Sequence, residues 1–232
     1  TREAADSRTE REAWAARGVS TIAVPCIETT LQPWPWSQAS AGRVLTFFTS
    51  RRAVASWEAA GSPPLQELAA LRPATAEALR HAGLRLSPQL TSEGGVVRLA
   101  ERVLEWWSAL GRPLLTVRYP TSQAGLQSPE QGGAMEVLAP LGELERRLAY
   151  TMSAPAGLRE ALQCAARDDW AISFASPSAV QHFLAAGDLI EQPPRRVLCL
   201  GASTAQAWDS GRRPQWPQAV SDNSEDFLSL KR

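Results

Sequence analysis

The chain has 232 residues, of which 44% are hydrophobic and 21% are charged, a composition typical of a globular protein with one large or two small domains. Its 24 basic and 24 acidic residues cancel, which argues against a nucleic-acid partner, because such proteins need a basic face. No apolar run is long enough to span a membrane and no secretory leader is recognisable. The sequence therefore predicts no membrane partner and a cytoplasmic location.

Helical and strand-like segments alternate along the chain, which is typical of α/β proteins with parallel sheets. The predicted strands cover residues 19–24, 43–48, 113–118, 144–151, 170–175 and 195–200. The predicted helices cover residues 4–17, 51–60, 95–110, 156–166, 178–186 and 204–210, with a last one after Asn223. Residues 65–71 have more helical than strand character.

Pro33 and Pro35 deny the backbone both a helix and a central strand, and they mark a candidate domain boundary. A second boundary is expected near residues 150–155. The two cuts predict a discontinuous outer α/β lobe, residues 1–32 plus 152–232, and an inserted α/β lobe, residues 36–148. The predicted fold class is thus α/β, with two similar lobes, each a parallel sheet flanked by helices, joined by a two-strand hinge.

The cysteines and histidines give no sign of a metal site. Cys26, Cys164 and Cys199 are far apart and form no C-x-x-C pair, so we expect reduced and mostly buried thiols. His81 and His182 have no carboxylate or thiol at ligand spacing. The sequence therefore predicts neither a zinc site nor a histidine-based triad.

An internal repeat is the most informative feature of the sequence. Residues 47–54, FFTSRRAV, return as residues 173–180, SFASPSAV. A second echo pairs residues 74–78, ATAEA, with residues 203–207, STAQA. The separation between the two echoes is similar in both halves, so we expect the same order of elements in each.

The ordered set of motifs resembles the uroporphyrinogen-III synthase family over nearly the whole chain. Each motif is weak alone, whereas the set in this order is specific. The motifs are Thr1-Arg2 before a helix, then residues 23–28 (AVPCIE), 48–54 (FTSRRAV), 74–83 (ATAEALRHAG), 149–151 (AYT), 174–180 (FASPSAV) and 200–205 (LGASTA).

The resemblance implies two lobes with the substrate between them. It also implies the reaction: hydroxymethylbilane, a linear tetrapyrrole, loses water and closes with its last ring inverted, through a spirocyclic intermediate, to give uroporphyrinogen III. Such an enzyme is a cyclising carbon–oxygen lyase that uses no metal or organic cofactor. Since no heptad pattern indicates assembly, we expect a monomer, with transient contact to the upstream bilane-forming enzyme.

The substrate implied by the resemblance carries an acetate and a propionate on each ring. Helix N-termini present N–H groups that bind anions without a formal charge to desolvate. We therefore expect hydroxyl residues and their neighbouring amides at the strand-to-helix junctions to bind these carboxylates. The alternative is that the hydroxyls only cap helices, each contributing about 1 kcal/mol. The residues are Ser50, Thr75, Ser122, Ser176, Ser178, Ser203 and Thr204.

Tyr150 is the candidate catalytic residue, because the family pattern places a tyrosine in the cleft after the second crossing. Its phenol would protonate the departing hydroxyl as a general acid and leave a resonance-stabilised azafulvene. The alternative is a ring that packs on the hinge with its hydroxyl bonded to the backbone. Arg2, Arg51 and Arg118 lie at or just past predicted strand ends, where ligands bind in open α/β sheets. We expect them to pair with substrate carboxylates, and ordinary solvated arginines are the alternative.

Two other functions are compatible with the sequence. One is an inactive synthase-like module that binds tetrapyrroles or regulates a partner, and the other is a two-lobed binding protein for a small anionic ligand. The inactive module would be expected to lose the tyrosine or the paired hydroxyls, and both are present here. Seven of the nine tryptophans are expected to pack rather than to stack on a ligand. Trp57, Trp106, Trp107, Trp170 and Trp208 are expected to pack in cores, and Trp34 and Trp36 at the first crossing.

Overall fold

The central strands of the larger sheet of this protein, residues 44–48 and 68–70, are buried throughout, as expected of strands whose two faces are both covered. The computed structural model describes residues 11–222, apart from positions 13, 17, 35, 37–41, 167–169, 187–189 and 191. The chain divides into two units. We name Thr29–Met152 the inserted unit, and Thr1–Glu28 with Ser153–Arg232 the terminal unit.

The elements follow one another in α/β alternation. The described strands are β1 (Glu28–Leu31), β2 (Arg43–Phe48), β3 (Glu67–Leu71), β4 (Thr91–Ser92), β5 (Leu115–Ser122), β6 (Gly142–Ser153), β7 (Ala171–Phe174), β8 (Arg196–Leu200) and β9 (Ala219–Asp222). The described helices that we label are α1 (Arg51–Ala59), α2 (Ala74–His81), α3 (Gly95–Ala109), α4 (Gln123–Gln127), α5 (Pro129–Leu138), α6 (Leu158–Ala165), α7 (Pro177–Ala186) and α8 (Ala202–Gly211).

The sheet of the inserted unit has the strand order β1-β6-β5-β2-β3-β4. β2 pairs in parallel with both β3 and β5, β3 with β4, and β5 with β6. The chain thus winds outward from β2 in one direction through β3 and β4, and in the other through β5 and β6. The order reverses between β2 and β5, which makes this pair the topological switch point. In open α/β sheets, ligands bind at the carboxyl ends of the strands at such a point.

Two apolar clusters hold the inserted unit together, one on each side of the sheet. The first joins α3 and α5 to the side chains of Leu45, Phe47, Val117 and Tyr119. The second joins α1 and α2 to Phe48, Leu68, Ala70 and Tyr150. Alternate residues of β2 therefore serve opposite cores, which explains why Val44–Phe48 is buried throughout.

The terminal unit contains a three-stranded parallel sheet in the order β7-β8-β9. An aromatic group forms its core: Phe174 and Phe183 meet edge to face at 5.2 Å, and Trp208 stacks on Trp216 at 5.5 Å. These contacts confirm that Trp208 packs in a core, as the sequence predicted. Trp57 and Trp107 are likewise buried, in the inserted unit.

The predicted α/β alternation is confirmed, but several segments differ from expectation, among them β5, which continues past its predicted end at residue 118 to Ser122. Residues 19–24 were predicted as a strand, but they form no regular structure; instead, the nearby Cys26 and Ile27 are buried, and the Cys26 carbonyl lies 2.7 Å from His182 Nδ1. Residues 67–71 form β3 rather than a helix, because pairing with β2 and β4 overrides a weak local preference. The helix predicted after Asn223 lies outside the described residues.

The cysteines are free, as expected, and two of the three are buried. Burial raises the pKa of both Cys26 and Cys199 to about 11, so these thiols remain protonated near neutral pH. Cys164 is exposed. None of the described helices has the length and apolarity that a membrane crossing requires.

A seven-residue motif, W-x-x-x-G-x-P, ends two helices of the inserted unit in the same way. It begins at Trp57 in α1 and at Trp107 in α3. In each copy the glycine and the following residue have positive φ, 81° and 54° after α1 and 81° and 59° after α3. The indole Nε1–H then donates to the proline carbonyl oxygen, at 2.8 Å to Pro63 and 2.6 Å to Pro113. The tryptophan therefore fixes the turn that leads into the next strand.

Replacing Trp107 with Phe should lower the free energy of unfolding by about 2 kcal/mol, because the Pro113 carbonyl loses its donor and the core loses packed area. Trp106→Phe is the matched control, since Trp106 lies in the same helix, is partly buried, and donates no indole hydrogen bond to a described residue. Urea denaturation of both variants measures the difference. Equal losses would contradict the role of the indole bond.

Candidate active site

The carboxyl ends of β2 and β5 carry the polar groups at the switch point of the inserted unit. β2 ends at Phe48, and Thr49 and Ser50 lead from it into α1. β5 ends at Ser122, which leads into α4. A hydrogen bond between Thr49 Oγ1 and the Tyr119 hydroxyl, 3.1 Å long, joins the two strands at this edge.

Ser50 caps α1, with extended backbone and its Oγ accepting from Arg52 N at 3.1 Å. The serine is half-buried, and the Arg51 that follows it is exposed. Arg52 turns back and donates from Nε to Thr29 Oγ1 at 3.0 Å. The Ser50 hydroxyl thus contributes to helix stability, while the first turn of α1 begins at the carboxyl end of β2, beside the switch point.

Ser122 and Tyr150 are neighbours in register on β5 and β6, just beyond an irregularity in the pairing of the two strands. Ser122 Oγ accepts from Gly125 N at 3.0 Å and so caps α4. Only 6% of Tyr150 is exposed, and its ring belongs to the cluster beneath α1 and α2. Among the described residues, none hydrogen-bonds the Tyr150 hydroxyl. Both side chains lie at the end of the sheet that carries Thr49 and Ser50.

Thr75 occupies the first turn of α2, after β3, and is buried. The turn before it differs from its counterpart in the terminal unit: Gly201 adopts φ 89°, whereas Arg72 has no positive φ and is joined to Pro73 by a cis bond. An arginine in this turn therefore needs no left-handed conformation, and the two halves of the repeat use different turns.

The terminal unit repeats the serine cap. Ser176 follows β7, and its Oγ accepts from Ala179 N at 3.3 Å. Ser178 lies in the first turn of α7 and is half-buried, and Ser203 is exposed near the start of α8. The buried Thr204 donates from Oγ1 to Leu200 O at 3.1 Å. The junctions predicted from the repeat thus exist in both units.

Arg118 is placed differently from the prediction. β5 continues to Ser122, so Arg118 lies in the middle of the strand rather than at its end. Its Nε contacts Glu145 Oε2 at 3.1 Å, with only 12% of the arginine side chain exposed. The guanidinium also lies 5.6 Å from the centroid of the Trp36 ring. Its charge is therefore already balanced within the sheet. Arg2, the other arginine predicted to bind substrate, lies outside the described residues.

Tyr119, Gln131 and Arg146 extend the site and were not predicted from the sequence. Because the predicted strand ended at residue 118, Tyr119 was not recognised as a strand residue. In the structure it lies on the same face of β5 as Val117 and Thr121. Arg146 donates to the carbonyl oxygens of Gly125 and Leu126 at 3.0 and 2.8 Å. The alternation of Leu115, Val117, Tyr119 and Thr121 on one face of β5 is the signal that could have revealed Tyr119. Across the described residues, no three His, Cys, Asp or Glu side chains gather as a metal site would require.

Substitution of Arg118 by Met should destabilise the inserted unit by about 2 kcal/mol, because it leaves the half-buried Glu145 carboxylate without its partner. The double variant Arg118→Met, Glu145→Leu should recover much of that loss, because both charges are then removed. Urea denaturation measures the three proteins. An unchanged stability together with a higher KM would instead identify Arg118 as a substrate ligand.

Comparisons with known proteins agree on one family. The family model described as uroporphyrinogen-III synthase HemD matches residues 9–215. Among curated proteins, no sequence matches the chain. The fold is similar to a uroporphyrinogen-III synthetase from Helicobacter pylori, with a TM-score of 0.59 and 14% identity over 88% of each chain. It is also similar to a mutant uroporphyrinogen III synthase from Thermus thermophilus, with a TM-score of 0.52 and 17% identity over 96% of this chain and 90% of the other. Because the family model matches most of its length, this chain belongs to the uroporphyrinogen-III synthase family.

Proposed function

We propose that this chain converts hydroxymethylbilane to uroporphyrinogen III, with loss of water and inversion of the last ring. The family match over residues 9–215 carries this proposal. The structure supports it with hydroxyl-capped helix starts at the carboxyl ends of strands, found after β2 in the inserted unit and after β7 in the terminal unit. Such junctions suit a substrate whose charge is distributed over many carboxylates.

The helix starts bind these carboxylates through backbone N–H groups as well as through hydroxyls. At each junction the serine Oγ accepts one amide of the first turn, Arg52 N in α1 and Ala179 N in α7. Because Pro177 has no N–H, the α7 junction would offer the Ser178 amide and its hydroxyl to the ligand. A backbone amide carries no formal charge. Each amide–carboxylate contact is therefore weaker than a bidentate arginine–carboxylate pair, and forming it requires no cation to be desolvated. Many weak contacts hold a chain of pyrroles while still allowing its last ring to turn.

Tyr150 is the general acid of this proposal. Its phenol proton passes to the hydroxyl of the hydroxymethyl group, the carbon–oxygen bond breaks, and water leaves. The azafulvene that results is attacked by the substituted carbon of the last ring, which forms the spirocyclic intermediate. Rearrangement then closes the inverted macrocycle, and the proton released on closure returns to the phenolate. The hydroxyl of Tyr150 suits this task because no described residue hydrogen-bonds it.

Holding the substrate in one pose supplies the rest of the catalysis. The linear tetrapyrrole also closes unaided to the uninverted isomer, so the enzyme must favour the geometry in which the substituted carbon is attacked. The purified protein should therefore convert freshly generated hydroxymethylbilane mainly to the type III isomer. Oxidation of the product followed by chromatography separates the isomers. Type I alone, at the rate without enzyme, would favour the inactive tetrapyrrole-binding module.

Tyr150→Phe should lower kcat by about 100-fold, the low end of the range for a general acid. Its thermal midpoint should change little, because the ring stays packed in its cluster and no hydrogen bond to a described residue is lost. Thr151→Val is the control, since it removes a hydroxyl from the next residue of β6 and should leave kcat unchanged. Equal kcat for Tyr150→Phe and the wild type would remove the proposed acid role.

A further inference from the structure

A chain of hydrogen-bonding side chains runs through the inserted unit at its switch point. Thr49 Oγ1 lies 3.1 Å from the Tyr119 hydroxyl, and Thr121, on the same face of β5, interacts with the Tyr119 phenol and lowers its pKa. Thr121 Oγ1 in turn donates to Gln131 Oε1 at 3.0 Å. We name these four residues the hydroxyl string. It connects the end of β2 to β5 and then to α5.

Tyr119 is the centre of the string and has no exposed surface. Its ring meets Phe47 edge to face at 5.3 Å, within the cluster that α3 and α5 cover. A phenylalanine would fill this position with less desolvation, because a buried hydroxyl is costly unless it is hydrogen-bonded. The hydroxyl therefore has a use other than core packing.

Burial raises the pKa of Tyr119 to about 12, and its interactions with Thr49 and Thr121 only partly oppose that rise. The phenol therefore remains protonated over the whole physiological range and can act both as a hydrogen-bond donor and as an acceptor. Since Tyr119 has no exposed surface, it cannot contact a substrate. Thr49, by contrast, is half-buried and precedes the cap of α1.

We propose that Tyr119 is a positioning residue, which fixes the β2–α1 turn by holding Thr49 from the adjacent strand. This inference rests on the proposed function, because the turn is one of the junctions that bind substrate carboxylates. The backbone pairing between β2 and β5 extends only to Thr46 and Arg118, so it does not reach the β2–α1 turn. The Thr49–Tyr119 bond supplies that connection and sets the direction of the first amides of α1.

The test compares Tyr119→Phe, Thr49→Val and the double variant, with hydroxymethylbilane as substrate. Each single variant should raise KM about 3- to 10-fold, the value of one hydrogen bond, while kcat stays within about twofold. The share of type I product should rise at low enzyme concentration, because more substrate closes unbound. The KM of the double variant should not exceed the higher KM of the two single variants, since both substitutions remove the same hydrogen bond. Thr49→Ser keeps the hydroxyl and should restore KM.

Thr91→Val is the matched control. Thr91 is also buried in the inserted unit, and its Oγ1 donates to Pro88 O at 3.1 Å, away from the string. Its loss should cost stability without raising KM. Three results would overturn the inference: an unchanged KM in folded Tyr119→Phe, multiplicative effects in the double variant, or an equal rise in KM for Thr91→Val. If Tyr119→Phe does not fold, Thr49→Val against Thr49→Ser decides the question. A wild-type protein that makes only type I product would instead refute the proposed function.

Discussion

In the inserted unit, helices cover both faces of the larger sheet, and this restricts where polar functional groups can lie. Because α1 and α2 cover one face and α3 and α5 the other, the interiors of β2 and β5 can accommodate few polar side chains. A buried polar atom without a partner lowers the stability of the fold. Thr46 Oγ1 is buried and has no hydrogen-bond partner in the described part of the chain, and the desolvation of such a group costs about 1–3 kcal/mol. Hydroxyls and amides that must meet a ligand are therefore restricted to strand ends, and parallel pairing brings those ends to one edge.

The chemistry proposed for this edge depends on neutral groups more than on charged ones. Arg118 is occupied by Glu145, and Arg146 by the carbonyl oxygens of Gly125 and Leu126. The other groups at the described strand ends are serine and threonine hydroxyls, helix amides and a phenol, with the exposed Arg51 beside Ser50. For a substrate that must reorganise while bound, weak and numerous contacts are better suited than a few rigid ion pairs, because tight binding of the ground state adds nothing to the rate of the chemical step.

The repeat made the alternation and the capped junctions predictable, because Ser50 and Ser176 sit in similar local sequences that lead from strand to helix. β3 was harder, since Leu68-Ala69-Ala70 has little strand preference and is fixed by its neighbours. The length of β5 was underestimated because Pro120 interrupts the strand pattern, and this placed Arg118 wrongly and hid Tyr119. Burial, pairing across strands and hydrogen bonds between distant residues depend on the tertiary fold, so the hydroxyl string could not be read from local sequence.

The surroundings of Gly125 limit which residues can replace it. Its backbone passes so close to Thr121 Oγ1 and the Gln131 side chain that a methyl group in its place would overlap both, although its φ is not of the kind that favours glycine. Alanine, usually the mildest replacement, would thus displace the Thr121 hydroxyl and the Gln131 amide at the far end of the hydroxyl string. The missing methyl group, well away from any reacting group, leaves room for the hydrogen bond between these two side chains. Natural variation at this position should accordingly be narrow, even though the residue takes no part in bond making.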